Sequence, residues 1–294
     1  MNIQSLSVCV PAKRCINDCK FCCSKMHTAD YEDHFTDVCQ YAGYAADMRK
    51  RLQYARENGC NTCMLTGNNE PQQNRDFLRF FSEVNRSLPM PFLNIEMQTS
   101  GAFIDPDFLD FFKQSVGITT IAISVACLDD DSANREMIQT HDGDLNLAEL
   151  CREIKKRNIN LRICLNMNDD ILVRHPKTPE SIIDLCTALD ADQITFRALW
   201  APDSVSEQGR WVAEHVTETT YSLIDILKKD IKAKGRYLNT LEYGSDRYDY
   251  FGFSVVVDED SMSQETNKTA VKYLILRPNG HLYSKWDSKA SLVF

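Results

Sequence analysis

The 294-residue sequence predicts an α/β fold, an open partial (β/α)6 TIM-like barrel with a C-terminal antiparallel β appendage. Between residues 3 and 234, short apolar runs alternate with helix-period segments six times, the pattern of parallel strands joined by right-handed crossovers. Several runs carry polar residues on one parity, which suits the wall of a cavity better than a filled core. Beyond about residue 236 the alternation stops.

The first run, 3–10, is followed by a cysteine-rich loop and a helix in which Tyr44, Met48, Leu52 and Ala55 recur at spacings of three and four. Strand TCMLT (62–66) leads to a helix at about 72–86, FLNIEMQ (92–98) to one at 105–115, and ITTIAISVA (118–126) to one at 145–157. Strand NLRICLN (160–166) precedes a helix at 179–189, and DQITFRAL (192–199) one at 217–234. Six such units are too few to close an eight-stranded barrel, so the sheet is expected to stay open. The polar parity comprises Glu96 and Gln98, then Arg162, Cys164 and Asn166, then Gln193, Thr195 and Arg197. These side chains are expected to line the interior.

A tyrosine-rich stretch, YLNTLEYGSDRYDYFGF, the apolar SVVV, the polar DEDSMSQETNK and a final VKYLILRPNGHLYSKW follow. Pro278-Asn279-Gly280 between alternating residues signals a hairpin. Residues 1–236 read as the barrel and 237–294 as a β extension packed on one side or end of it.

Lys and Arg number 33 against 42 Asp and Glu, a net charge of −9 that disfavours nucleic acid as a partner. The N-terminus lacks the apolar run of a signal peptide and no window approaches a membrane span, so a cytoplasmic location is the expectation. Twelve cysteines in such a chain point to metal or redox chemistry, not to a disulfide framework. None lies beyond residue 186.

Cys15, Cys19 and Cys22 form C-x3-C-x2-C directly after the first strand. Iron-sulfur clusters are held by closely spaced thiolates, usually four, so three in one loop leave an iron open to another ligand. The zinc alternative needs a fourth ligand, with Cys23 or His27 as candidates. Cys23 reads as packing, because adjacent residues point apart. Cys60 and Cys63 read as small buried hydrophobes, and so do Cys9, Cys39, Cys127, Cys151, Cys164 and Cys186. Cys164 shares the cavity parity.

With Phe21 just before the third cysteine, this loop resembles the signature of the radical S-adenosylmethionine (SAM) superfamily. Thr66-Gly67-Asn68-Asn69-Glu70-Pro71 is similar to that family's glycine-rich GGE or GxGEP motif, with Asn where a second glycine is usual. Gln98-Thr99-Ser100-Gly101 is similar to its Thr-Asn-Gly. The resemblance covers about residues 3–200 and implies one 4Fe-4S cluster on Cys15, Cys19 and Cys22, with SAM chelating the open iron. It implies SAM contacts from Phe21, Gly67, Asn68, Asn69, Gln98, Thr99, Ser124 and Asn166, receipt of the SAM ammonium at Glu70, and adenine bracketing at Ala198 and Leu199. It further implies a low-potential electron donor such as flavodoxin or ferredoxin, and hydrogen abstraction by a 5′-deoxyadenosyl radical from a small-molecule, nucleotide or protein-bound substrate. An activase or modifying enzyme acting on a partner protein or peptide is the alternative within the family; a non-catalytic zinc- or cluster-binding module is the alternative outside it. Relatives that modify peptides often carry a cysteine-rich C-terminal domain, which the cysteine-free segment after 186 does not match.

For the substrate, Glu96, Arg162, Thr195 and Arg197 are candidates by parity. Each arginine is either salt-bridged to Glu96 across the barrel floor or an anchor for a substrate carboxylate or phosphate. His281, Tyr283 and Trp286 read as surface or packing residues.

Overall fold

The computed structural model describes residues 2–26, 38–138, 145–170, 178–201, 205–241, 245–259 and 270–294. His27 and most of the polar stretch 258–268 lie outside them.

Six strands, β1 (Asn2–Cys9), β2 (Thr62–Thr66), β3 (Asn94–Thr99), β4 (Thr120–Val125), β5 (Asn160–Met167) and β6 (Gln193–Ala198), pair in sequence order and in parallel. Burial alternates along them: Cys63 and Leu65 of β2 are fully buried under the helices, while Thr62, Met64 and Thr66 line the interior. The expected strand positions and parities hold.

The crossover helices begin where the chain supplies an N-cap. After a short α1 (Cys23–Met26), α2 (Tyr41–Glu57) buries Tyr41, Met48, Leu52 and Ala55. In α3 (Arg75–Arg86) the Asn74 side chain accepts from Phe77 N, and Phe77, Phe81 and Val84 turn toward the sheet. Asp105 caps α4 (Pro106–Phe111), which runs into a π-turn, Phe112–Val116. Helices α5 (Asp131–Ile138) and α6 (Leu147–Lys156) share the crossover after β4; α7 (Pro179–Ala188) follows β5, with Thr178 as its cap. After β6 come α8 (Glu207–His215) and α9 (Glu218–Lys234), capped by Ser206 and Thr217. The sequence reading placed no helix at α5 or α8. Among the described residues no helix is long and apolar enough to cross a membrane.

The C-terminal strands are β7 (Arg236–Thr240), β8 (Asp246–Tyr250), β9 (Phe253–Asp258), β10 (Ala270–Leu276) and β11 (Leu282–Tyr283). Antiparallel pairing is present in β7-β8-β9 and in the β10-β11 hairpin, with Gly280 N donating to Arg277 O at its turn. The extension does not gather on one side, however. Strand β9 lies parallel beside β6, and β10 parallel beside β1, at the opposite edge. A meander with an odd number of strands returns the chain in its starting direction, so β9 arrives parallel to the barrel. The parallel run thereby grows from six strands to eight without hydrogen bonds closing it. The sheet curls until Lys272 Nζ of β10 stands 3.8 Å from Asp258 Oδ1 of β9, its first and last parallel strands.

Candidate active site

The cysteine loop is latched to three neighbouring elements. Gln73 Oε1 accepts from Ile16 N at 3.1 Å, while Gln73 Nε2 donates to Arg14 O at 2.7 Å. Gln73 is held in turn by a capping box with Glu70 around Pro71, a signature present in the sequence as Glu-Pro-Gln-Gln. The Asn17 amide donates to Glu70 Oε1 (2.9 Å) and Ser100 Oγ (2.8 Å). From the far side, Asp18 N and Lys20 N donate to Ile138 O and Met137 O at the end of α5.

Within this frame Cys15, Cys19 and Cys22 are half-buried, and Asn17 N donates to Cys15 Sγ at 3.4 Å. Burial pushes the Cys22 thiol up to about 12 and Cys19 well above its ordinary value, with neighbouring thiols adding to both. Loading such thiols with metal therefore displaces protons, and the metal must compensate for forming desolvated thiolates. Among the described residues no three His, Cys, Asp or Glu side chains converge on a single ion. A cluster does not require that, since each thiolate takes its own iron. Cys23 departs from expectation: it is exposed and lines the cavity, because it opens α1 with its side chain facing inward. Cys39 is also exposed, whereas Cys9, Cys60, Cys63, Cys127, Cys151, Cys164 and Cys186 are buried as expected.

Gly67 adopts φ +154°, and a Cβ there would stand 3.1 Å from Val10 O, so only glycine lets the loop after β2 lie against β1. Glu70 is buried, and its carboxylate accepts from Asn17, Gln72 Nε2 (3.1 Å), Thr99 Oγ1 and Ser100 N (3.0 Å). The acid expected to receive an ammonium group is thus already supplied with neutral donors. Asn69, where the resemblance leads one to expect glycine, offers an alternative acceptor. Its Nδ2 donates to Val10 O at 2.9 Å, which leaves Oδ1 buried and unpartnered at the cavity wall. Asn68 is exposed and stands apart from the wall.

The cavity measures about 480 Å³, within the usual range for a small-ligand site. Gln98, Thr99, Ser124, Asn166, Ala198 and Leu199 all line it. Gln98 Nε2 donates to Glu96 Oε1 at 3.1 Å. Phe21 also lines it, with its ring centroid 5.9 Å from that of Trp211, in a cluster with Leu199 and Trp200. Deeper, Arg162 forms the expected salt bridge to Glu96 at 2.6 Å and donates twice to Gln193 Oε1. Thr195 and Arg197 stand on the same wall. The sequence reading missed Asn17, Gln73, Trp200, Asp258 and Lys272, and Trp286 proves to line the cavity. Gln73 was detectable from its capping box, but no local pattern marks Lys272, whose strand is placed by pairing with β1.

A partial parallel barrel whose first loop carries three cysteines in C-x3-C-x2-C spacing, two of them at the wall of a polar chamber, defines an enzyme of the cluster-dependent kind. The family model described as the Radical SAM superfamily matches residues 9–187, and the chain belongs to that family. Members bind a 4Fe-4S cluster and SAM, and these are its cofactors. No curated protein matches the chain in sequence. Among solved structures, "Native anSMEcpe with bound AdoMet" is similar with TM-score 0.64 and 13% identity, over 96% of this chain and 74% of that one. The same protein with bound AdoMet and a Cp18Cys peptide gives TM-score 0.58 at 11% identity, over 98% and 75%. Coproporphyrinogen III oxidase (HemN) from Escherichia coli gives TM-score 0.53 at 15% identity, over 80% of this chain and 54% of that one, so the chain spans about half of HemN's length. The residues present fit the two cofactors: three thiols share one latched loop, and the orphaned Asn69 Oδ1 supplies a buried acceptor beside it.

Proposed function

We propose that this enzyme reductively cleaves SAM and abstracts a hydrogen atom from a substrate held inside the barrel. The observation that carries the reading is the cysteine loop, fixed by Asn17 and Gln73 to the loop after β2 and bordering the cavity at Cys19 and Cys22. When bound, cluster and SAM supply the electron transfer and the 5′-deoxyadenosyl radical; the chain supplies position and shelter.

In this reading Cys15, Cys19 and Cys22 hold the cluster. Asn69 Oδ1 accepts from the SAM ammonium, while Glu70 holds the loops that surround it. Thr99, Ser124 and Asn166 offer polar groups at the carboxyl ends of β3, β4 and β5, and Ala198 and Leu199 with Phe21 flank the adenine. Trp200 and Trp286 help to exclude water from the chamber. Residues 1–236 handle the cofactors, and 237–294 complete the chamber; the pairing of β9 with β6 and of β10 with β1 supports this division. Lys13 and Arg14 are exposed beside Cys15, which suits an acidic low-potential donor such as flavodoxin or ferredoxin.

Anaerobic reconstitution with iron and sulfide tests the reading. The expected result is a brown protein that forms 5′-deoxyadenosine from SAM with dithionite. A colourless zinc protein that leaves SAM intact overturns it.

A further inference from the structure

The two arginines of the cavity differ in their surroundings. Arg162 is saturated by Glu96 at 2.6 Å and by Gln193 Oε1, which accepts from Nε at 2.8 Å and Nη2 at 2.6 Å. Its charge is neutralised and its position fixed. Arg197, on the adjacent strand, has no carboxylate within salt-bridge distance among the described residues. Its Nε is buried without an acceptor, and its Nη2 has only the Cys164 sulfur, 3.9 Å away. Burial keeps that sulfur a neutral thiol. Asp258, opposite Arg197 in the β6-β9 register, pairs with Lys272.

A guanidinium is charged at any physiological pH, and a desolvated cation without a hydrogen-bonded counter-ion is poorly compensated. Asp258 and Glu96 act on Arg197 through space without pairing with it. The fold nevertheless holds this one against a chamber open to ligands.

We propose that Arg197 anchors a carboxylate group of the substrate. This rests on the cavity being the substrate chamber of a radical SAM enzyme. A carboxylate is favoured over a phosphate by the charges on the wall. Arg162 and Lys272 are committed to Glu96 and Asp258, and Arg247 Nε to Asn239 at 2.9 Å in an exposed contact. Arg247 keeps its charge at that exposed contact, so Arg197 is the cation of this wall whose Nε is buried without an acceptor. One such site matches a monoanion, whereas a phosphate dianion there would also face the Glu96 and Asp258 side. The planar fork of arginine suits a carboxylate geometrically. The carboxylate is the substrate's, not that of SAM, because the groups expected to meet the amino-acid end of SAM lie at the ends of β2, β3 and β4. On β6 only the adenine contacts at Ala198 and Leu199 are expected, and Ala198 points to the opposite face from Arg197.

Arginine-selective modification by phenylglyoxal, read at Arg197 by peptide mass spectrometry on anaerobically reconstituted enzyme, tests the assignment. The probes are butyrate, its neutral counterpart butyramide, inorganic phosphate and SAM, at constant ionic strength. Butyrate is expected to slow Arg197 modification about tenfold relative to the exposed Arg79, the effect of one charge-assisted pair, and butyramide is expected to leave it unchanged. The proposal is overturned by an unreactive Arg197 in the absence of probes, by no protection, by equal protection from butyramide, by protection from phosphate but not butyrate, or by equal protection from SAM alone. The same preparation is assayed for 5′-deoxyadenosine, so loss of the anchor is distinguishable from loss of the radical SAM reading.

Discussion

The Asn17 side chain donates to Glu70 Oε1 at 2.9 Å, joining the middle of the C-x3-C segment to the loop after β2. Because Glu70 also accepts from Thr99 and Ser100 of the β3 end, one carboxylate ties three loops together. Asn17→Ala and Glu70→Gln are each expected to speed iron loss to a chelator without unfolding the chain. Their combination should be non-additive, with a coupling of about 1–3 kcal/mol in a double-mutant cycle. Strict additivity in the cycle would show that the contact does not act as a unit.

Asn69 separates SAM binding from cluster binding. With Nδ2 held by Val10 O, Oδ1 stays buried and unpartnered in a residue that lines the cavity. Asn69→Ala should weaken SAM binding about tenfold, as expected for one hydrogen bond to a charged group, with iron content unchanged. Equilibrium binding of SAM to the reconstituted variant measures this; unchanged affinity would remove Asn69 as the acceptor of the ammonium.

The cysteines give a third prediction. Cys19→Ala should abolish cluster assembly, while Cys23→Ala should retain full iron and sulfide, because Cys23 faces the cavity and lies outside the three-thiol set. Iron analysis and the visible absorption spectrum after reconstitution decide it, and a marked loss of iron from the Cys23 variant would contradict the ligand assignment.

The strand positions were legible because each strand has one apolar face under helices and one polar face on the cavity; β2 and β6 alternate along their whole lengths. Helices α5 and α8 were not, being only 8 and 9 residues long and sharing their crossovers with a second helix. The edges of the sheet could not be read either: Asn2 pairs with Ala270, and a parallel partner so distant in sequence leaves no local trace. Of the site, the cysteines and Gly67 were visible because their chemistry or backbone demands that residue type. Glu70 was visible as a residue, but the hydrogen bonds that hold it were not, because Asn17, Thr99 and Ser100 arrive from other elements. The two arginines looked equivalent by parity and were separated only by their partners.

The Arg162–Glu96 pair should matter to stability. The Glu96 side chain is 4% exposed and that of Arg162 30%, so Glu96→Ala leaves a largely desolvated guanidinium with only Gln193. The cost is expected to be about 3 kcal/mol, measured as a lower denaturant midpoint at unchanged slope. Replacing both residues by apolar ones of similar volume should restore most of it, an outcome that a substrate-binding role for Arg162 alone would not give.

Buried thiols set an alkaline limit to the fold. Burial raises Cys60, Cys151 and Cys186 from 9.0 to about 12 each. Above 9.0 the unfolded chain releases these protons and the native chain retains them, so the unfolded state binds fewer and stability falls with pH. Their contribution is therefore complete below 9.0 and is lost progressively as pH climbs toward about 12, by at most about 1.4 kcal/mol per pH unit for each thiol. Denaturant unfolding of the reduced protein across this interval should show the decline, and Cys186→Ala should make it shallower while costing some stability at neutral pH. An equal slope in the variant would mean that Cys186 ionises in the native state as readily as in the unfolded chain.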